Sequence, residues 1–253
     1  MRDAMLELNR HKQPAAQRRL ITSIARSEAE ILEAQRLRYK VFAEEMGAHL
    51  PSAKEGIDRD IFDKYCEHLL VRESDEHKVV GTYRILPPDQ AAKIGGYYSQ
   101  TEFDLTRLLH LGDRMVEVGR SCVHRDYRDG AAITQLWNGL ARYMQQHRHE
   151  YLIGCASISM ADGGHVAASV YRKLHRLYSA PAEYSVFPRI PLRLNALNPY
   201  LDAPVPPLLK GYLRLGAYIC GEPAWDPEFN TADLLILLPM SRMSSRYAKH
   251  FLK

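Results

Sequence analysis

The sequence predicts an α/β fold in one large domain, a mixed sheet flanked by helices and followed by a C-terminal elaboration. Three observations predict it. Two short runs, HLLVRE at 68–73 and VVGTYRIL at 79–86, flank a charged turn at 74–77, the pattern of consecutive antiparallel strands. A strand, helix, strand, helix order follows between 115 and 178. The chain has 253 residues, 46% hydrophobic and 25% charged, enough to bury a sizeable core. That composition excludes a disordered, collagenous or coiled-coil protein.

Taken in order, Ser27 with Glu30 is a capping-box signature that opens a helix. Ile31, Ala34, Arg38, Val41, Phe42 and Met46 then recur at helical spacing until Gly47 ends it. A polar stretch with Pro51 and Gly56 precedes the two early strands, and Pro87 and Pro88 stop the second of them. A short helix is expected at 105–109. MVEVGRSCV at 115–123 reads as a strand, HRDYRDG as a loop, and 131–147 as a helix. YLIGCASI at 151–158 is a further strand and 165–178 a further helix. Prolines crowd the stretch from 181 to 207, and an LLILL run follows at 234–238. The organisation is therefore a basic segment at 1–20, a catalytic core at 21–180, and an extension at 181–253 packed on the same domain.

The charge is unevenly placed. Residues 1–26 and 241–253 each carry +4 of a net +4, so the body between them is acidic by about four charges. Basic ends suit an anionic surface, and an acidic middle suits a cationic substrate. Arg242, Arg246, Lys249 and Lys253 step along one helical face, with Met240, Met243, Tyr247 and Phe251 on the next. Such a basic amphipathic end fits an anionic bilayer, an acidic carrier protein, or the domain's own surface. No run approaches the roughly 20 apolar residues of a membrane-spanning helix. The start of the chain lacks the apolar core of a secretory signal. Cys66, Cys122, Cys155 and Cys220 form no CxxC pair, so a reduced, cytoplasmic protein is expected.

Three constellations could carry chemistry. The loop before the 131–147 helix holds Arg125, Arg128 and Gly130, and a helix amino terminus offers free N–H groups to an anion. The glycine-rich acetyltransferase loop reads R-x-x-G-x-G, but Ala131 and Ile133 stand here where glycines would, leaving less room for a diphosphate than for a single phosphate. An ordinary β–α connection with surface arginines fits equally. Second, Glu117 lies in an apolar strand, where a carboxylate is costly unless paired or used, and burial would make it a proton acceptor. On a regular strand Glu117 and Arg120 face opposite sides, and Gly119 between them could mark a bulge that re-aims one. The alternative is a pair that staples the sheet. Third, Asp58, Asp60 and Asp63 with Glu55 form an acidic cluster that could hold a cation or be a solvated loop; a calcium-loop pattern is absent. There is no H-E-x-x-H, no G-x-S-x-G and no kinase nucleotide loop, so metal hydrolysis, serine hydrolysis and phosphoryl transfer are excluded as readings.

An ordered set of motifs carries a family resemblance: RYKVFAEEMG (38–47), DRDIFD (58–63), HLLV (68–71), GTYR (81–84), EVGRSCV (117–123), PPLLKGYLRLGA (206–217) and DPEFNTAD (226–233). From about residue 20 to the end the chain resembles the bacterial ornithine N-acyltransferases that start ornithine-lipid synthesis with an acyl carrier protein. The resemblance implies a GNAT-like fold, related to acyl-homoserine-lactone and N-acyl amino acid synthases. It implies catalytic Glu117 and Arg120 and a substrate cleft of Arg38, Phe42, Asp60, Asp63 and Arg84; the loop residues Arg125, Arg128, Gly130 and Ala131 are the candidates to hold the donor phosphopantetheine, in a loop that departs from the family's glycines. No bound cofactor or metal is implied; acyl-acyl carrier protein is a co-substrate. The implied partners are the carrier protein, L-ornithine and an anionic membrane surface met from the cytoplasmic side, with a second O-acyltransferase to add the other chain, and no nucleic acid. Acylation of another amine, an acyl-homoserine-lactone synthase, or a non-catalytic membrane- or carrier-binding module are the alternatives.

Overall fold

A computed structural model describes residues 19–243. The basic segment at 1–18 and the end of the amphipathic segment, from 244, lie outside the described residues. A mixed eight-stranded sheet organises the rest. It runs in the order β1 (Leu20–Ile24), β2 (Glu67–Glu73), β3 (Val79–Leu86), β5 (Met115–Val123), β6 (Tyr151–Ser159), β10 (Thr231–Pro239) and β8 (Tyr218–Ile219). A short β9 (Ala224–Asp226) also pairs with β10, and β4 (Phe103–Asp104) with β7 (Phe187–Pro188) forms a separate ribbon. All pairs in the main sheet are antiparallel except β5 with β6. The edge strand β1 had no counterpart in the sequence reading.

The first helix, α1 (Glu28–Tyr39), is capped as expected. The Ser27 side chain accepts from the Glu30 N–H, while the Glu30 carboxylate turns back to the Arg26 N–H, one residue earlier than the usual reciprocal bond. Past Tyr39 the helix widens into a π-turn over Lys40–Glu45 and stops at Gly47, whose φ is +78°. Pro87 follows the last residue of β3 and caps α2 (Pro88–Ile94), which Pro88 opens at a position where its missing N–H is harmless. The short helix expected at 105–109 is a longer 3₁₀ stretch over Thr106–Arg114, broken at Gly112.

Strand alternation assigns the two faces. Leu69 and Val71 of β2, Val116 and Val118 of β5, Leu152 and Ala156 of β6, and Leu234 and Ile236 of β10 bury against α3 (Ala131–His147), α4 (His165–Tyr178) and α5 (Pro207–Leu215). The opposite face carries Leu70, Met115, Ile153 and Leu235, packed under α1, α2 and the 3₁₀ turns. Arg84, Glu117, Cys155 and Asp233 belong to this second face by register: Arg84 is opposite Gly119, Glu117 opposite Ile153, and Ser157 opposite Asp233.

The sheet forks at its centre. β5 and β6 pair only at Met115–Tyr151, Val116–Leu152 and Glu117–Ile153, although both strands run on to Val123 and Ser159. Gly154 sits at the fork, where a Cβ would lie 2.4 Å from the Val118 carbonyl oxygen. Beyond it the strands part.

Candidate active site

A cavity of about 780 Å³ occupies the fork. Its walls include Phe42, Phe62, Arg84 and Glu117 from one face of the sheet and Tyr83, Trp137, Leu208 and Tyr212 from the other, so it threads between the strands. One end is rich in ionisable groups and the other is apolar.

A β-bulge brings Arg120 into it. Between Thr82 and Arg84 β3 advances two residues, while β5 takes three from Gly119 to Cys122. Arg120 absorbs the difference with φ +50°, a conformation rare for so large a residue. Glu117 and Arg120, which a regular strand would place on opposite faces, therefore both line the cavity.

Glu117 is 4% exposed. Its Oε2 accepts the Tyr98 N–H at 2.6 Å, and its Oε1 accepts the Ser99 N–H at 2.7 Å and the Ser99 hydroxyl. Burial pushes the carboxyl above its ordinary value; the Ser99 and Tyr98 donors and Arg84 oppose that shift without cancelling it. A carboxylate so placed is a proton acceptor held in one orientation.

Beside it runs a buried network of three guanidiniums and three carboxylates. Arg38 Nε donates to Asp58 at 2.8 Å, and its Nη2 to Asp63 at 2.7 Å and to the Asp58 carbonyl. Arg84 Nη1 reaches Asp60 at 2.6 Å and Asp63 at 3.3 Å, and Arg120 reaches Asp58 at 3.3 Å and Asp60 at 3.2 Å. Burial alone would raise the Asp63 carboxyl; Arg38 and Arg84 outweigh it and hold Asp63 below the usual carboxylate range. Arg84, Arg120 and Phe42 line the cavity, whereas Arg38, Asp60 and Asp63 do not. Those three tie α1 to the 58–63 loop and to the sheet. The Arg120 guanidinium lies 4.8 Å from the Tyr98 ring centroid and 4.4 Å from that of Phe229, which meets Phe42 edge-on.

The expected phosphate loop is only half present at the cavity. Arg128 and Gly130 line it, but Arg125 and Ala131 are exposed and off the wall. A turn at Arg125–Tyr127 buries Tyr127, whose hydroxyl donates to Glu73, and thereby carries Arg125 outward. Arg128 is itself engaged, by Glu45 at 2.7 Å and the Val123 carbonyl at 2.9 Å, and the Ala131 N–H is taken by Asp129.

Sequence reasoning missed a second acidic wall. Asp226, Thr231 and Asp233 line the cavity on β9 and β10, and the Glu102 carboxyl lies against Asp233. Burial and the Asp233 charge push Glu102 up to about 10, and burial raises Asp233 as well. Glu102, Asp233 and Cys155 each present a ligand atom within 4.8 Å of the others, the one such group among the described residues able to hold a metal ion. A signal was available: Asp233 interrupts an apolar strand just as Glu117 does. Near the chain's end, Met240 and Met243 pack on the core and Arg242 donates to the Gly216 carbonyl. No helix among the described residues is long and apolar enough to cross a membrane.

Comparison with known proteins fits this geometry. Residues 37–138, from α1 to α3, match the acetyltransferase (GNAT) domain family. An N-acyl amino acid synthase from uncultured soil microbes superposes with a TM-score of 0.54 over 90% of this chain and 94% of that one, at 12% identity. A CoA-dependent acyl-homoserine lactone synthase does so with a TM-score of 0.53 over 92% and 88%, at 16% identity. These two likenesses concern the fold alone. In sequence, the chain is 38% identical over 251 residues to the L-ornithine N(alpha)-acyltransferase of Agrobacterium fabrum, across 92% of this chain and 85% of that protein. It is 39% identical over 245 residues to the protein of that name from Rhodobacter capsulatus, across 90% and 93%. Identity at this level along nearly the whole of both chains marks common descent: the chain belongs to the L-ornithine N(alpha)-acyltransferase family and is an acyltransferase.

Proposed function

We propose that the protein moves a (3-hydroxy)fatty acyl group from acyl carrier protein to the α-amine of L-ornithine, giving a single-chain lipoamino acid. The observation that carries this reading is the buried Glu117 carboxylate on the wall of the cavity at the fork of β5 and β6. An ammonium has no lone pair to attack with, so a base must first take its proton, and Glu117 does so directly or through water. The free amine attacks the thioester carbonyl carbon and forms the C–N bond; the tetrahedral oxyanion then collapses and breaks the C–S bond. Glu117 passes the first proton to the departing thiolate, which leaves as the pantetheine thiol, and then takes up the nitrogen's second proton and releases it to solvent. N–H groups of the bulge at Gly119 to Ser121 face the developing oxyanion. Arg84 and Arg120 orient the amino-acid carboxylate, while Arg38, Asp60 and Asp63 hold the arginines in place.

The apolar end of the cavity, with Ile133, Trp137, Leu208 and Ile236, supports a long acyl chain. The engaged Arg128 and the outward Arg125 favour a carrier-borne pantetheine, with its single phosphate, over coenzyme A. A second, O-acylating enzyme would complete the lipid, and the basic ends of the chain would keep this step at the cytoplasmic membrane surface. Purified protein mixed with 3-hydroxyacyl-carrier thioester and ornithine tests the reading by mass spectrometry. An acylornithine supports it. Release of no acyl product, or acylation from coenzyme A thioester alone, overturns it.

A further inference from the structure

We propose that Asp233 and Glu102, with Asp226 beside them, form the subsite that holds the side-chain ammonium of the amino-acid substrate and so select a diamino acid. The inference rests on the acyltransfer reading above and adds where the second nitrogen goes.

Orphaned polar atoms point to a ligand. Among the described residues four buried side-chain oxygens that meet no donor at ordinary hydrogen-bond distance cluster here: both Glu102 oxygens, Asp233 Oδ1 and Thr231 Oγ1. Asp233 is 3% exposed and Glu102 9%, yet Asp233 and Thr231 stand on the cavity wall. Without a ligand the two carboxyls share a proton and lean on Ser157, Thr231 and Tyr98, a costly arrangement for buried carboxyls that donors from outside would relieve. A primary ammonium supplies three donors and a compensating charge. Burial keeps the Glu102 carboxyl protonated at neutral pH while the site lacks a cation. Asp226 contributes charge rather than an orphan atom, since its Oδ1 accepts the N–H groups of Glu228 and Phe229.

The position suits the reaction. Glu117 and Asp233 lie on the same face of the sheet, on β5 and β10, with β6 between them. Ser99 bridges the gap: its hydroxyl donates to Glu117 and lies 3.4 Å from Cys155 Sγ, which in turn neighbours Glu102 and Asp233. An amino acid with its α-amine at Glu117 would extend its methylenes past Cys155 and set its terminal nitrogen between the carboxyls. The same three ligand atoms could take a metal ion, but Glu102 and Asp233 are both held toward the neutral form, and the Cys155 thiol is pushed well above its ordinary value. That favours a ligand bringing its own hydrogen-bond donors over one demanding thiolate.

The test compares L-ornithine with L-norvaline, which has the same three-carbon side chain and no terminal amine. Wild-type protein should favour ornithine in kcat/KM by about a hundredfold or more. In D233N, and separately in E102Q, the preference should shrink to about tenfold or less, through KM more than kcat. Calorimetry of the two amino acids without an acyl donor should show the same loss. Equal use of both amino acids by wild type, or an undiminished preference in both variants, overturns the subsite and leaves acyltransfer standing. Stoichiometric metal that is lost in D233N also overturns it. If no amino acid is acylated, the acyltransfer reading falls instead, and calorimetric preference alone decides the ammonium site.

Discussion

The backbone N–H of Tyr98 lies 2.6 Å from Oε2 of Glu117, so the 3₁₀ turn at Tyr98–Thr101 aims its amino end at the one carboxylate in the middle of β5. That turn fixes the carboxylate, and burial makes it more basic than a free glutamate.

Replacing Glu117 with Gln keeps the shape and removes the base. Thiol release from an acyl-carrier thioester in the presence of ornithine should slow by about a hundredfold to ten-thousandfold. The wild-type rate should fall on acidification through a pKa above the ordinary 4.5 of a glutamate, because the ionised form is the active one. E117Q should show no such acid limb. A rate within a few-fold of wild type would remove Glu117 from the proton transfer.

Arg38 is wholly buried between Asp58 and Asp63. Truncating it to Ala leaves two buried carboxylates facing one another, which costs about 3–5 kcal/mol. The urea midpoint of R38A should fall accordingly. Asp63 adds an acid dependence: its folded carboxyl titrates below the unfolded one, so its contribution is present above pH 4 and is lost as the pH falls further. D63N should flatten the acid side of a stability–pH curve.

Glu102 behaves in the opposite sense. Its carboxyl titrates near 10 when folded against an ordinary 4.5, so its contribution is fully present below 4.5 and is lost as the pH rises toward 10. E102Q has no such titration. At pH 8 the variant should be more stable than wild type by about 1–3 kcal/mol, with the difference shrinking at pH 5, as thermal melts across that range would register.

Gly211 of α5 packs on the ring of Trp137, where a Cβ would come within 2.2 Å of the indole. G211A must push that ring, and the ring forms part of the cavity's apolar end. With carrier thioesters of graded length, the optimum should move to shorter chains while the shortest substrates are used nearly as well as before. An unchanged length profile would place the acyl chain elsewhere.

Much of this site was legible because it obeys short-range rules. The spacing of Glu117 and Arg120 about Gly119 indicated a bulge, and the register slip opposite Tyr83 is that bulge. Ser27 and Glu30 marked the start of α1. Edge strand β1 escaped notice since five residues paired on one side only need little apolar alternation: its pattern LITSI is half exposed. The role of Asp60 and Asp63 depended on contacts with Arg38, Arg84 and Arg120, each brought in by a different element, and these put both aspartates behind the cavity wall. Glu102 and Asp233 are 131 positions apart in the chain and meet only once β10 inserts beside β6, a pairing no local pattern specifies.

The forked seam also governs how the molecule breathes. Only three residue pairs join the half-sheet that ends in β5 to the half-sheet that begins with β6. Backbone amides along Val118 to Val123 and Gly154 to Ser159 therefore depend on whatever fills the gap for part of their protection from solvent. An occupied slot would act as a splint across the two halves, so hydrogen exchange in both strands should slow together when donor binds, joining substrate loading to the rigidity of the whole sheet.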